Sequence, residues 1–138
     1  NVYETGIQLQ ADDKEEDLPT LYLPVNKKIE IDLVSRDVIH SLWVIDFLYK
    51  KDVFPGFVNK MYFTPQVIGE YKGKCAELCG EFHSMMLFNV KVVSQQDYDA
   101  QMAKLAQMGN TGQLSANPDD PNFNRNNNLP GDDPEKKD

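Results

Sequence analysis

Residues 75 to 86 read Cys-Ala-Glu-Leu-Cys-Gly-Glu-Phe-His-Ser-Met-Met. This short run holds two thiols (Cys75, Cys79), an imidazole (His83) and two thioethers (Met85, Met86). Soft sulfur donors beside an imidazole select copper or another thiolate-seeking metal. Gly80 permits the tight bend that such a loop needs. Strand-like sequence flanks the run on both sides, so the donors share one loop between two strands. The chain's other histidine, His40, stands far upstream in Asp37-Val38-Ile39-His40-Ser41. Among Val38, Ile39, Leu42 and Trp43, an imidazole needs a partner wherever it is buried. A core histidine bonded to backbone is the ordinary explanation. The only other histidine sits in a thiol-rich loop, however, and that points to a shared metal.

Two cysteines and two histidines could also form a tetrahedral zinc site. Met86, three residues after His83, favours copper, because thioether ligation is a copper habit. A mononuclear blue centre uses one cysteine beside its two histidines. A second cysteine four residues away suggests thiolates that bridge two coppers.

The elements that must position these donors follow from pattern. With 138 residues, 41% hydrophobic and 26% charged, the chain suits one domain with tails. Its net charge of −8 argues against nucleic acid and favours a basic protein partner. Two cysteines are too few for a disulfide scaffold. The most apolar run, Val38 to Phe47, is interrupted by His40, Ser41 and Asp46, so no membrane span and no signal peptide are expected. Asn1 suggests a processed or excised chain.

Residues 1–20 read as an acidic N-terminal loop segment, with Asp12, Asp13, Glu15, Glu16 and Asp17 around Lys14. Residues 21–93 read as all-β. Leu21 and Leu23 open it, Ile29, Ile31 and Leu33 alternate with Glu30 and Asp32, and Leu42 to Phe47 is apolar. Pro55-Gly56 marks a turn, 59–64 a strand, 70–72 a short strand, and Phe88, Val90 and Val92 alternate again. Close-spaced strands with turns predict a sandwich or barrel. Residues 94–108 predict one helix, capped by Ser94 with Asp97 three residues on. Residues 109–138 are dominated by Asn, Asp, Pro and Gly, and predict a flexible tail.

The motif Asp37-Val38-Ile39-His40-Ser41, then Asp52 and Pro55-Gly56, then Cys75-x-Glu77-x-Cys79-Gly80-x-x-His83-x-x-Met86 resembles the extramembrane domain of cytochrome c oxidase subunit II. The resemblance covers roughly residues 21–93, and the wording of the loop is most similar to actinobacterial aa3-type oxidases. It implies a cupredoxin-like Greek-key β-barrel or sandwich with one C-terminal helix. It implies a mixed-valence CuA centre of two copper ions, with Cys75 and Cys79 bridging, His40 and His83 each on one copper, Met86 a weak axial ligand and the Glu77 carbonyl the other. The Glu77 carboxylate would reach a magnesium ion at the subunit I interface. Asp37 and Trp43 would support the site from outside the ligand set. No catalytic residue is implied. The domain would take electrons from a cytochrome c, or a membrane-bound dihaem cytochrome c, and pass them to haem a in subunit I. Oxygen reduction would belong to the proton-translocating complex, within a supercomplex in actinobacteria. The expected place is the extracytoplasmic face of the bacterial cell membrane, anchored by N-terminal helices that this sequence does not include.

Two other readings stay open on the sequence. The CuA domain of nitrous oxide reductases has the same ligand order, but tends to carry tryptophan where Glu77 stands. A secreted β-sandwich binding module with a Cys75–Cys79 disulfide would gain little chain-entropy stabilisation from so small a loop. It would also leave His40, His83 and Met86 as coincidences.

Overall fold

The computed structural model describes residues 18–111, apart from Arg36 and Phe82. The acidic run 12–17 and the stretch 112–138 lie outside the described residues. Only 18–20 of the expected N-terminal segment and 109–111 of the expected tail lie inside.

Seven strands and one helix are present among the described residues: β1 (Thr20–Pro24), β2 (Ile29–Leu33), β3 (His40–Val44), β4 (Tyr49–Val53), β5 (Asn59–Phe63), β6 (Gly69–Cys75), β7 (Leu87–Val93) and α1 (Gln95–Gln107). The larger sheet has the order β1-β7-β6-β3-β4, and β2 pairs with β5 as a separate ribbon. The β1–β7 pair is parallel and the others are antiparallel. The architecture is the expected all-β fold with one helix.

The two sheets bury their facing side chains in two adjoining clusters. Leu23, Val44, Val90 and Val92 form one; Leu33, Val53 and Met61 form the other. Phe63 packs against both. Burying each such side chain contributes about 1.5–3 kcal/mol. The ribbon shows why these residues become strand: Ile29, Ile31 and Leu33 turn inward while Glu30 and Asp32 face water, where Lys60 pairs with both carboxylates.

Three features depart from the sequence reading. Tyr49–Val53 is a full strand, although Lys50-Lys51-Asp52 looks polar. Its register pairs Lys51 with Leu42 on the face shared by Tyr49 and Val53, which hides the alternation. The apolar run from Leu42 ends as a strand at Val44, and continues as a 3-10 turn over Ile45–Phe47. Leu48 then takes a left-handed conformation with φ 51° and is 93% exposed, reversing the chain into β4. Finally, β6 extends from Gly69 through Cys75, beyond the expected 70–72. Gly73 on β6 faces the Phe88 ring of β7; a Cβ there would lie 2.1 Å from a ring carbon. Only glycine lets the ring close over this strand, two residues before the first cysteine.

The charge is unevenly placed. Between 18 and 111 the sequence has ten acidic and ten basic residues, so the excess of acid lies in the segments on either side. The barrel is therefore balanced, and not the acidic body that the net charge suggests.

The helix starts where Ser94 Oγ accepts the Asp97 amide at 3.1 Å, and the hydroxyl donates to the Asp97 carboxylate at 2.7 Å. Leu105 is its buried residue. Among the described residues no helix is long and apolar enough to cross a membrane.

Candidate metal centre

The site is built where β3, β6 and the β6–β7 loop meet. The β3–β6 register sets Leu42 opposite Cys75. Residues directly opposite share a face, and a residue two places along is a diagonal neighbour. His40 therefore reaches the Cys75 sulfur, and its Nδ1 lies 3.8 Å from Sγ. The Ala76 amide donates to the Ser41 carbonyl at 2.9 Å, and the Cys75 amide to the Met86 carbonyl at 3.0 Å. These bonds extend both ladders past the strand ends and pin the loop at its base.

Within the loop, Gly80 has φ +127°, which a side chain would resist. The chain doubles back there, with the His83 amide donating to the Gly80 carbonyl at 3.1 Å, into a 3-10 turn over His83–Met85. That turn brings His83 Nδ1 to 3.4 Å from Cys79 Sγ, and Met86 Sδ to 3.3 Å from the same sulfur. The two sulfurs are 3.6 Å apart, and both cysteines are free thiols. The Glu77 carbonyl accepts from the Cys75 thiol at 3.2 Å, while the rest of Glu77 is exposed. His40, Cys75, Glu77, Cys79, His83 and Met86 thus form one connected group, each cysteine sulfur with an imidazole nitrogen of its own. The ligand atoms of His40, Cys75 and Cys79 all lie within 4.8 Å of one another.

This spacing fits a metal between the donors. Metal–sulfur bonds near 2.3 Å and metal–nitrogen bonds near 2.0 Å at tetrahedral angles imply sulfur–nitrogen separations of about 3.5 Å and sulfur–sulfur separations of about 3.8 Å. The donors are soft, and no carboxylate oxygen enters the group, which suits copper better than a hard cation.

Asp37 supports the group directly. Its Oδ1 lies 2.6 Å from His40 Nε2, leaving Nδ1 toward the sulfur. Partial burial is the largest single influence on His40 and lowers its affinity for a proton, but the hydrogen bonds and charges of Asp37 and Cys75 together outweigh it and the pKa is raised. Burial would raise the Asp37 pKa, but its hydrogen bonds to His40, the Val38 backbone and Ser35 together outweigh that and lower it. Burial opposes ionisation of Cys75, yet backbone hydrogen bonds at Ser41 and Glu77, with His40 and Cys79 beside it, bring its pKa down to about 6. Burial and the neighbouring Cys75 push Cys79 up to about 11.

Trp43 is placed differently. It pairs with Lys74 in the β3–β6 register, so it lies on the sheet face opposite Cys75, and the Lys74 ammonium sits 4.9 Å from its ring centroid. Ser35, which the sequence reading did not single out, bonds to Asp37 and to the Val38 carbonyl. A serine in a polar stretch carries no pattern signal.

Residues 7–93 match the family described as "Cytochrome C oxidase subunit II, periplasmic domain". The chain is 54% identical over 98 residues to the probable cytochrome c oxidase subunit 2 of Streptomyces coelicolor, covering 71% of this chain and 31% of that protein. It is 44% identical over 90 residues to cytochrome c oxidase subunit 2 of Mycobacterium tuberculosis, covering 61% and 25%. The chain thus spans about a third or less of the length of these relatives. Among solved structures, the periplasmic domain of subunit II of cytochrome oxidase of Bradyrhizobium japonicum is similar, with a TM-score of 0.62, 30% identity and 64% of each chain covered. A subunit II domain caught in a mixed disulfide with a thioredoxin-like protein has a TM-score of 0.59 and 30% identity, covering 73% of this chain and 74% of that one.

Proposed function

The chain belongs to the family of cytochrome c oxidase subunit II periplasmic domains, and from that membership we propose that it is the CuA electron-transfer domain of a terminal oxidase. The observation that carries the reading is the pair of free thiols 3.6 Å apart, each with an imidazole nitrogen at 3.4 to 3.8 Å. Two copper ions bound there would supply one-electron redox chemistry. Cys75, Cys79, His40 and His83, with Met86 and the Glu77 carbonyl beside them, would hold the metal. The Glu77 side chain is exposed, and remains available for a magnesium ion at an interface with subunit I.

The protein's part is to hold the donors in place before any electron arrives. The β3–β6 and β6–β7 ladders fix Cys75 on both sides, the Asp37 carboxylate fixes the His40 ring, and the 3-10 turn fixes His83. Donors that do not move on reduction keep reorganisation small. Outer hydrogen bonds to the imidazole and the sulfurs then set the potential.

The domain lies on the extracytoplasmic side, as the family's description as periplasmic implies. Its donor is a basic cytochrome c or a membrane-bound dihaem cytochrome c, and its acceptor is haem a in subunit I. The complex carries the oxidase activity. By analogy with the mixed-disulfide relative, a thioredoxin-like reductant keeps Cys75 and Cys79 reduced before metal loading.

The test is copper content with EPR on the copper-reconstituted protein. The reading expects two coppers per chain and one unpaired electron shared equally by two nuclei. One copper with a single-nucleus spectrum overturns the bridging role, and no tight copper overturns the metal centre.

A further inference from the structure

We propose that Ser35 is a positioning residue for His40, acting through Asp37 and joining the ligand to the turn after β4. Ser35 follows β2 and is buried, with 4% of its surface exposed. Its hydroxyl oxygen accepts the Asp37 amide at 3.3 Å. The hydroxyl proton is shared between the Asp37 carboxylate, at 3.1 Å, and the Val38 carbonyl. A serine that bonds its own following backbone in this way closes a local turn. Here the turn fixes Asp37 at both its amide and its carboxylate, and fixes the peptide after it, two residues short of His40.

The need for such a device follows from exposure. The Asp37 side chain is 66% exposed, so nothing packed around it sets its rotamer. A free carboxylate would divide its time between His40 and water, and ordering it would have a cost at each binding event. Ser35 supplies that order in advance. It is in turn anchored away from the metal centre: its amide donates to the Phe54 carbonyl at 3.4 Å, and it forms a parallel bridge with Pro55. A path of direct contacts therefore runs from the Pro55-Gly56 turn through Ser35 and Asp37 to His40 Nε2 and, across the ring, to Cys75. The residues after the turn, Phe57 and Val58, are exposed apolar side chains, and Phe57 stacks edge-on against Phe54.

The inference rests on the CuA reading for its metal, but not for its hydrogen bonds, and the test separates the two. The full chain is compared with Ser35→Ala, Ser35→Thr, Asp37→Ala and the Ser35→Ala/Asp37→Ala double variant. The first readout is the 15N ring signals of His40 in metal-free protein at fixed pH. Ser35→Ala should move the Nε2 signal toward that of Asp37→Ala, and Ser35→Thr should restore it. The second is copper affinity by chelator competition, with EPR of the loaded protein. Loss of one hydrogen bond's worth of ordering predicts about threefold to tenfold weaker binding for Ser35→Ala. In the Asp37→Ala background the same change should cost nothing further. An unchanged Nε2 signal, or an equal loss of affinity in both backgrounds, overturns the proposal. Failure of the wild-type chain to bind copper overturns the CuA reading, and leaves the ring signals to decide the role of Ser35.

Discussion

The Asp37 carboxylate and the Cys75 sulfur face opposite nitrogens of the same ring, His40: Oδ1 is 2.6 Å from Nε2, and Sγ is 3.8 Å from Nδ1. The carboxylate thus selects which nitrogen carries a proton and which is free for a metal. Outer partners of this kind are commonly worth ten- to a hundredfold in metal affinity. Asp37→Ala should therefore weaken copper binding by at least about tenfold, and Asp37→Asn by less. Chelator competition on folded protein measures both, and equal affinity in Asp37→Ala and wild type would remove the carboxylate from the site.

Both thiols make the metal-free domain sensitive to pH, in opposite directions. Cys75 falls from the ordinary 9.0 to about 6 in the folded state. Between those values the unfolded chain binds more protons, so stability rises with pH, is complete above 9, and is lost as pH falls through 6. Cys79 rises from 9.0 to about 11, so its contribution is complete below 9 and is lost as pH rises through 11. The unfolding midpoint of metal-free protein should peak near the ordinary thiol value. Thiolate absorbance should appear in two well-separated steps. A Cys75→Ser/Cys79→Ser variant should lose both steps and show a flatter profile; an unchanged profile would refute the assignment.

Gly73 should tolerate no side chain. With a Cβ 2.1 Å from the Phe88 ring, Gly73→Ala forces the ring out of the core. Overpacking of this kind costs about 1–3 kcal/mol. A denaturant titration should show the loss, and Phe88→Ala should make the added methyl harmless. If Gly73→Ala is as costly without the ring as with it, backbone strain and not the ring is responsible.

The charge distribution makes a prediction about association with a basic donor. The barrel between 18 and 111 is balanced, and the acid excess lies outside it. Replacing Asp12, Asp13, Glu15, Glu16 and Asp17 by their amides should lower the association rate at low salt and flatten its ionic-strength dependence. Stopped-flow kinetics across a salt series reads this directly. An unaltered slope would place the steering field on the barrel.

Much of this was legible in the sequence, for unequal reasons. Cys75, Cys79, His83 and Met86 share one segment, so donor type and spacing gather them; Glu77 joins them only through the family resemblance, because every residue has a carbonyl. His40 is joined to them by the Leu42–Cys75 register, which no local pattern encodes; it was found because histidine is scarce in this chain. The ribbon strands were clear because their outer face meets water and their alternation is clean. Strand β4 was hidden by Lys51, whose residue type masks its position on the inner face. Trp43 looked like a neighbour of the metal because it is close in sequence, but alternation along β3 turns it to the other face.

The distance along the chain between His40 and the loop has a further consequence, for the order of events in the protein's life. Five of the six proposed donors could gather on a nascent segment, but the sixth, His40, arrives only after β3 has paired with β6. A metal taken up earlier would meet an incomplete set and could hold the loop in the wrong partnership. On the proposed copper reading, loading would therefore be a finishing step. The chain would have to be folded and its thiols kept apart from oxidants first, so the interval between folding and metal arrival would be the period when a protecting protein acts.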